Sequence, residues 1–185
     1  MFALIFGLSF LANAQDVQKD QPKGYQFTDI KRLPATSVKD QARAGTCWSW
    51  SGISFFESEM IRMGKEPIDL SAMYIVRHAY SDKATKFVRL HGSMNFAVGG
   101  AFCDVMHVIK NYGIVPMDVY MGLNYGEPNH AFGEIDDVLA GYINAVIKNS
   151  NKKLSTAWKK GFDGILDAYL GEEPEKFEYK GKEYT

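Results

Sequence analysis

The chain has 185 residues, of which 46% are hydrophobic and 23% charged, and its formal net charge is −1. That length suits one domain or the opening part of a larger protein, and the hydrophobic share supports a packed core over extended disorder. A near-neutral chain with no basic run, no Walker-type glycine loop and no GxGxxG has no evident basis for binding nucleic acid or nucleotides.

Residues 1–14, MFALIFGLSFLANA, are an apolar run closing on Ala12-Asn13-Ala14, the pattern of a secretory signal peptide cleaved after Ala14. The run is too short to span a bilayer, and no Lys or Arg precedes it. The expectation is an exported protein, periplasmic or extracellular, free of the membrane after cleavage. Residues 15–32 read as an N-terminal lead-in, polar from Asp16 to Gly24. Extended chain or loop continues to Asp40, broken at Pro34.

Helical spacing begins at Cys47, with Ile53, Phe56, Met60 and Met63 three and four residues apart and Gly64 as the stop. Ser71 is the expected N-cap of a helix through Met73 and Val76 to about Tyr80. A further helix over 101–112 should turn Val105, Met106 and Ile109 inward, with Gly113 and Pro116 ending it. Cys103 is expected on its apolar face as a small buried hydrophobe. Stripes run through Ile135, Leu139 and Ile143, and again through Phe162, Leu166 and Tyr169, across the polar turn 149–153. These two stripes predict a helical hairpin, placed as an insertion over 131–171. The tail 172–185 alternates around Lys180-Gly181 like the start of a truncated β segment.

Two cysteines cannot build a disulfide framework, though Cys47 and Cys103 could form one bond, and there is no CxxC or zinc-ligand spacing, so no metal or cofactor is expected. Cys47 stands apart from Cys103. It follows the small residues Ala44-Gly45-Thr46 and opens a helix, where unpaired backbone N–H groups and the helix dipole favour the attacking thiolate. Gln41 carries an amide that can donate to a developing oxyanion together with the Cys47 N–H. Gly45 allows a substrate backbone to approach closely, and Trp48 with Trp50 can wall the site.

The pattern Gln41-x-x-x-Gly45-x-Cys47-Trp48-x-Trp50 resembles the papain-like cysteine peptidases. Ser37-Val38-Lys39-Asp40 before it, Leu70-Ser71 after the helix, and Val98-Gly99-Gly100 ahead of NYGIVP (111–116) fit the same resemblance. It implies an α+β papain-like fold: a helical left-hand domain over 33–130, with the β-rich domain largely missing. It also implies Cys47 as nucleophile, Gln41 in the oxyanion hole, and Gly99-Gly100 on a strand that guides a peptide substrate. Secreted members usually carry a disulfide-forming cysteine where this chain has Ala44. That difference, the hairpin and the ending LGEEPEKFEYKGKEYT (170–185) are similar to the bleomycin hydrolase and aminopeptidase C branch. The branch implies aminopeptidase activity, and its ring-forming members leave homo-oligomer formation open.

A thiol peptidase needs an imidazole to take and return the proton. His78 and His107 fall within expected helices, and the resemblance gives His91 no catalytic role. His130 neighbours Asn129, but adjacent side chains cannot orient one another as a triad requires. In the resembled family the catalytic His and Asn come from a β-rich domain well downstream. The expectation is therefore the N-terminal portion of a longer peptidase, incompetent alone. The alternative is a non-catalytic peptide-binding module on the same scaffold.

Overall fold

The computed structural model describes residues 24, 25 and 27–185. The expected signal peptide (1–14) and the lead-in through residue 23 lie outside these residues. The N-terminal unit ends at Arg32, and its described part forms neither helix nor strand; the second compact unit is Leu33–Thr185.

Five helices and one hairpin build this second unit: α1 (Cys47–Arg62), α2 (Ala72–Arg89), α3 (Phe102–Tyr112), α4 (Gly133–Ile147), α5 (Ala157–Leu170), β1 (Phe177–Tyr179) and β2 (Lys182–Tyr184). The strands pair antiparallel with Phe177 opposite Tyr184 and Tyr179 opposite Lys182. Lys180 and Gly181 turn the chain between them, both at positive φ.

The core is organised around α2, which packs against α1, α3, α4 and α5. Every side chain from Ala72 to Tyr80 is buried, Arg77 and His78 included. A helix buried all round shows no single apolar stripe, so its length was not readable from spacing. It runs nine residues past the expected end near Tyr80, to Arg89. Its start is the expected one: the Ser71 hydroxyl accepts from the Tyr74 N–H at 3.0 Å and donates to the Tyr120 carbonyl at 2.6 Å. On α4 and α5, Leu139, Ile143, Phe162 and Leu166 are fully buried, each contributing roughly 1.5–3 kcal/mol by leaving water. The helical hairpin thus shares the core of α2.

Two rotations differ from expectation. On α1 the inward face is Trp48, Ser49, Gly52, Ile53 and Glu57, while Met63 at the helix end is 64% exposed. On α3 the inward residues are Val105 and Val108, so Met106 points to solvent and Cys103 is an exposed thiol instead of a buried one. The physical reason lies in the contact between these helices. A Cβ on Gly52 would come within 2.8 Å of Val105, so α3 sits directly on α1 at that glycine. This contact fixes the rotation of α3 and carries its neighbouring positions outward. No described helix is long and apolar enough to cross a membrane.

Candidate active site

The segment before α1 is held in place by a carboxylate buried beneath it. Glu57 lies on the inward face of α1, four residues after Ile53, and is almost wholly buried. It accepts from the Thr36 hydroxyl, from Lys39 Nζ at 2.7 Å and from the Leu70 N–H at 2.7 Å. Lys39 Nζ also lies 2.7 Å from the Asp69 carboxylate. Burial pulls the Lys39 ammonium downward, but its hydrogen bonds to Asp69 and Glu57 outweigh that and hold its pKa above the ordinary lysine value. Lys39 is thereby clamped over α1, and Gln41 follows two residues later.

The next turn is pinned on both sides. Asp40 Oδ1 accepts from the Ala42 N–H at 2.7 Å. The Arg43 N–H donates to the His130 carbonyl at 2.9 Å, and the Arg43 carbonyl accepts from the Phe132 N–H at 3.2 Å, a parallel bridge. Gly45 then takes φ +66°, a conformation glycine adopts without strain, and its bare α-carbon leaves room for Val98. The chain enters α1 at Cys47, where the Ser49 N–H donates to the Thr46 carbonyl at 2.9 Å, and the first turn holds no acidic residue. Thr46 does not cap the helix through its side chain; its hydroxyl accepts from Trp50 Nε1 at 3.0 Å.

Cys47 is solvent-exposed and lines a groove of about 390 Å³ with Gln41, Val38, Trp50, Ser51 and Ser54. The Gln41 Oε1, an acceptor, is buried without a hydrogen-bond partner among the described residues. Sulfur and amide therefore meet in one open groove at the positive end of a helix. A second groove of about 470 Å³, at the start of α4, is lined by Arg43, Tyr125, Glu127, Glu134 and Tyr169 and holds no thiol or imidazole. The chemistry points to the groove at Cys47.

The remaining expected site residues are distributed differently. Trp50 lines the groove, but Trp48 does not: it is 8% exposed, turned into the core, and donates from Nε1 to the Val98 carbonyl at 3.0 Å. The Gly99-Gly100 segment is irregular loop and not the expected strand, since its carbonyl edge is directed at side chains of α1 and α2 and not at another strand. Gly45, Gly99 and Gly100 lie outside the lining of the Cys47 groove. A Cβ on Gly100 would meet the Trp48 indole at 2.5 Å, so the loop can approach α1 this closely only with glycine there.

No histidine lines the Cys47 groove among the described residues. His78 is buried on α2, stacked 4.2 Å from Tyr112. Its Nε2 lies 3.0 Å from Glu173 Oε1 but without the alignment of a hydrogen bond. His107 is on the exposed side of α3, beside Asp82 at 3.1 Å. His91 sits in the turn after α2 at φ +49°. His130 packs 5.9 Å from the Trp50 ring, centroid to centroid, and burial lowers its pKa. Lys39 and Glu57 were missed as supports of the site. The available signal was a lone carboxylate on the inward stripe of α1, which requires a buried partner.

Residues 22–157 match the papain family cysteine protease domain. The chain belongs to the papain family of cysteine proteases. Among solved structures, the crystal structure of PepW from Lactobacillus rhamnosis HN001 (DR20) matches this papain-family chain at a TM-score of 0.55 and 19% identity. The match covers 82% of this chain and 41% of PepW, so the chain spans less than half of that protein's length. At that identity the likeness concerns the fold: a helical papain-like half, with β structure limited to β1 and β2 among the described residues. No curated protein matches the chain. The papain-family motif coincides with the geometry described, since Gln41 and Cys47 border the same groove.

Proposed function

We propose that Cys47 is the nucleophile of a thiol peptidase and that Gln41, with the Cys47 N–H, forms its oxyanion hole. The observation that carries this reading is the exposed sulfur at the first position of α1, sharing one groove with the Gln41 side chain. The thiolate attacks the carbonyl carbon of a peptide, and the carbonyl oxygen takes up the negative charge facing the two N–H donors. An imidazolium protonates the leaving nitrogen as the C–N bond breaks, which leaves a thioester on Cys47. Water then adds to the thioester carbon, the C–S bond breaks, and the acyl group leaves as a carboxylic acid with the thiol restored. No histidine among the described residues borders the groove, so this reading needs an imidazole that the groove's described lining does not supply.

The hairpin of α4 and α5 and the LGEEPEKF segment (170–177) support the aminopeptidase C and bleomycin hydrolase branch, with release of N-terminal amino acids from peptides. The apolar run ending at Ala14 supports export to the periplasm or beyond. Neither reading calls for a cofactor.

The test uses the protein as its gene encodes it, treated with a peptidyl epoxide and analysed by peptide mass mapping. The expected result is one adduct on Cys47, absent in Cys47→Ala, with cleavage of free-N-terminus peptides and not of N-acetylated ones. Absence of both adduct and cleavage would overturn the peptidase reading in favour of a non-catalytic peptide-binding module. Equal cleavage of acetylated peptides would overturn the exopeptidase assignment alone.

A further inference from the structure

We propose that Lys83, which the peptidase motif does not include, is a positioning residue that clamps the loop 97–100 against α1 so that Gly100 presents its backbone to a peptide substrate. The inference rests on the peptidase reading above and extends it to a residue on α2.

Lys83 is half-buried between α2 and the loop. Its ammonium donates to the Ala97 carbonyl at 3.3 Å and to the Gly99 carbonyl. It also sits 5.4 Å from the centroid of the Trp48 ring and 5.9 Å from that of Tyr80, within cation–π range of both. The carbonyl between these two, that of Val98, accepts from Trp48 Nε1. Three consecutive carbonyls, 97 to 99, are therefore held by two side chains, and those side chains touch each other. Charge-assisted hydrogen bonds of this kind are about twice as strong as neutral ones.

This arrangement has a consequence one residue later. The Gly100 N–H has no acceptor among the described loop hydrogen bonds, whereas the three carbonyls before it are all occupied. Gly100 itself is pressed onto the Trp48 indole, where a Cβ would meet it at 2.5 Å. Trp48 follows Cys47 directly in the chain, so the same indole that anchors the loop is rooted in the first turn of α1. Loop and thiol thus share one rigid support. Cys47 and Cys103 are both free, so no disulfide between them ties this loop down. Without Lys83, two carbonyls lose their donors and the loop is held by Trp48 Nε1 alone.

The experiment compares Lys83→Met and Lys83→Arg with wild type, in the protein as its gene encodes it. Three quantities are read: kcat and KM for a peptide, the alkylation rate of Cys47 by iodoacetamide, and amide exchange across residues 97–101. Iodoacetamide touches the thiol without needing the loop. For Lys83→Met the expected result is about a tenfold fall in kcat/KM, carried by KM, with unchanged alkylation and faster exchange in the loop. Lys83→Arg keeps the donors and should stay within about threefold of wild type. The proposal is overturned if Lys83→Met keeps kcat/KM within about twofold, or if alkylation and turnover fall together in both variants. If Lys83→Met does not fold, Lys83→Ala replaces it under the same criteria, because it too removes both donors. If wild type neither turns over peptide nor labels at Cys47, the peptidase reading has failed. In that event, unchanged loop exchange in the variant overturns the clamp as well, and faster exchange upholds the clamp without the catalysis.

Discussion

Removing the Glu57 carboxylate should loosen the whole approach to the nucleophile helix. In Glu57→Ala, the Leu70 N–H loses its acceptor in a buried setting, at about 1–3 kcal/mol. Breaking a buried ion pair costs about 3–5 kcal/mol when the partner is stranded. Here Lys39, whose side chain is 13% exposed, keeps Asp69, whose side chain is 55% exposed, so this part falls below that range. The two parts together come to about 3–4 kcal/mol, a large share of the roughly 5–15 kcal/mol that holds a domain folded. Glu57→Gln preserves shape and one acceptor and should cost about 1–2 kcal/mol. Urea denaturation with linear extrapolation measures both, and amide exchange over residues 35–41 reports whether the Gln41 segment is freed. A cost below about 1 kcal/mol for the alanine variant, or equal costs for the two variants, would refute the argument that this carboxylate organises the segment.

Gly100→Ala should lower stability by about 1–3 kcal/mol, because the Trp48 indole it would strike is tethered to the Val98 carbonyl. Gly99→Ala is the matched control, with open space at its Cβ position, and thermal melting should separate the two; equal losses would contradict the packing argument. Burial lowers the His130 pKa from the ordinary 6.5, so the folded state binds fewer protons than the unfolded state below that pH. Its contribution is fully present above about pH 6.5 and is lost as the pH falls from there toward the lowered folded value. His130→Phe should therefore flatten the acid side of the stability profile by up to about 1.4 kcal/mol per pH unit, measured by denaturation between pH 7 and 5. An unchanged slope would show that this imidazole is not buried from water in solution.

The motif from Gln41 to Trp50 was legible because its chemistry is local: a small-residue turn, a thiol at a helix start and an amide six residues earlier. The scaffold around the motif was legible for the same reason. Ser71 caps α2, Gly113 ends α3, and the stripes of α4 and α5 mark the faces buried in the core, all through contacts within a few residues. Which aromatic would border the thiol was not legible. Trp48 and Trp50 are two residues apart and equally apolar, and only the packing of the 97–100 loop draws the first inward and leaves the second in the groove.

From its residues alone, then, this chain declared its family motif, the start of α2, the end of α3 and the apolar stripes of α4 and α5. These depend on hydrogen bonds and spacings that close over a few residues. The rotation of α3, which exposes Cys103 and Met106, was decided by Val105 meeting Gly52 across two helices. The buried ties of Glu57 to Lys39 and Leu70, and the reach of Lys83 to Gly99, join positions 13 to 18 residues apart through a shared interior. Such pairs are set by how helices stack against one another, and a one-dimensional pattern of apolar spacing carries no term for that.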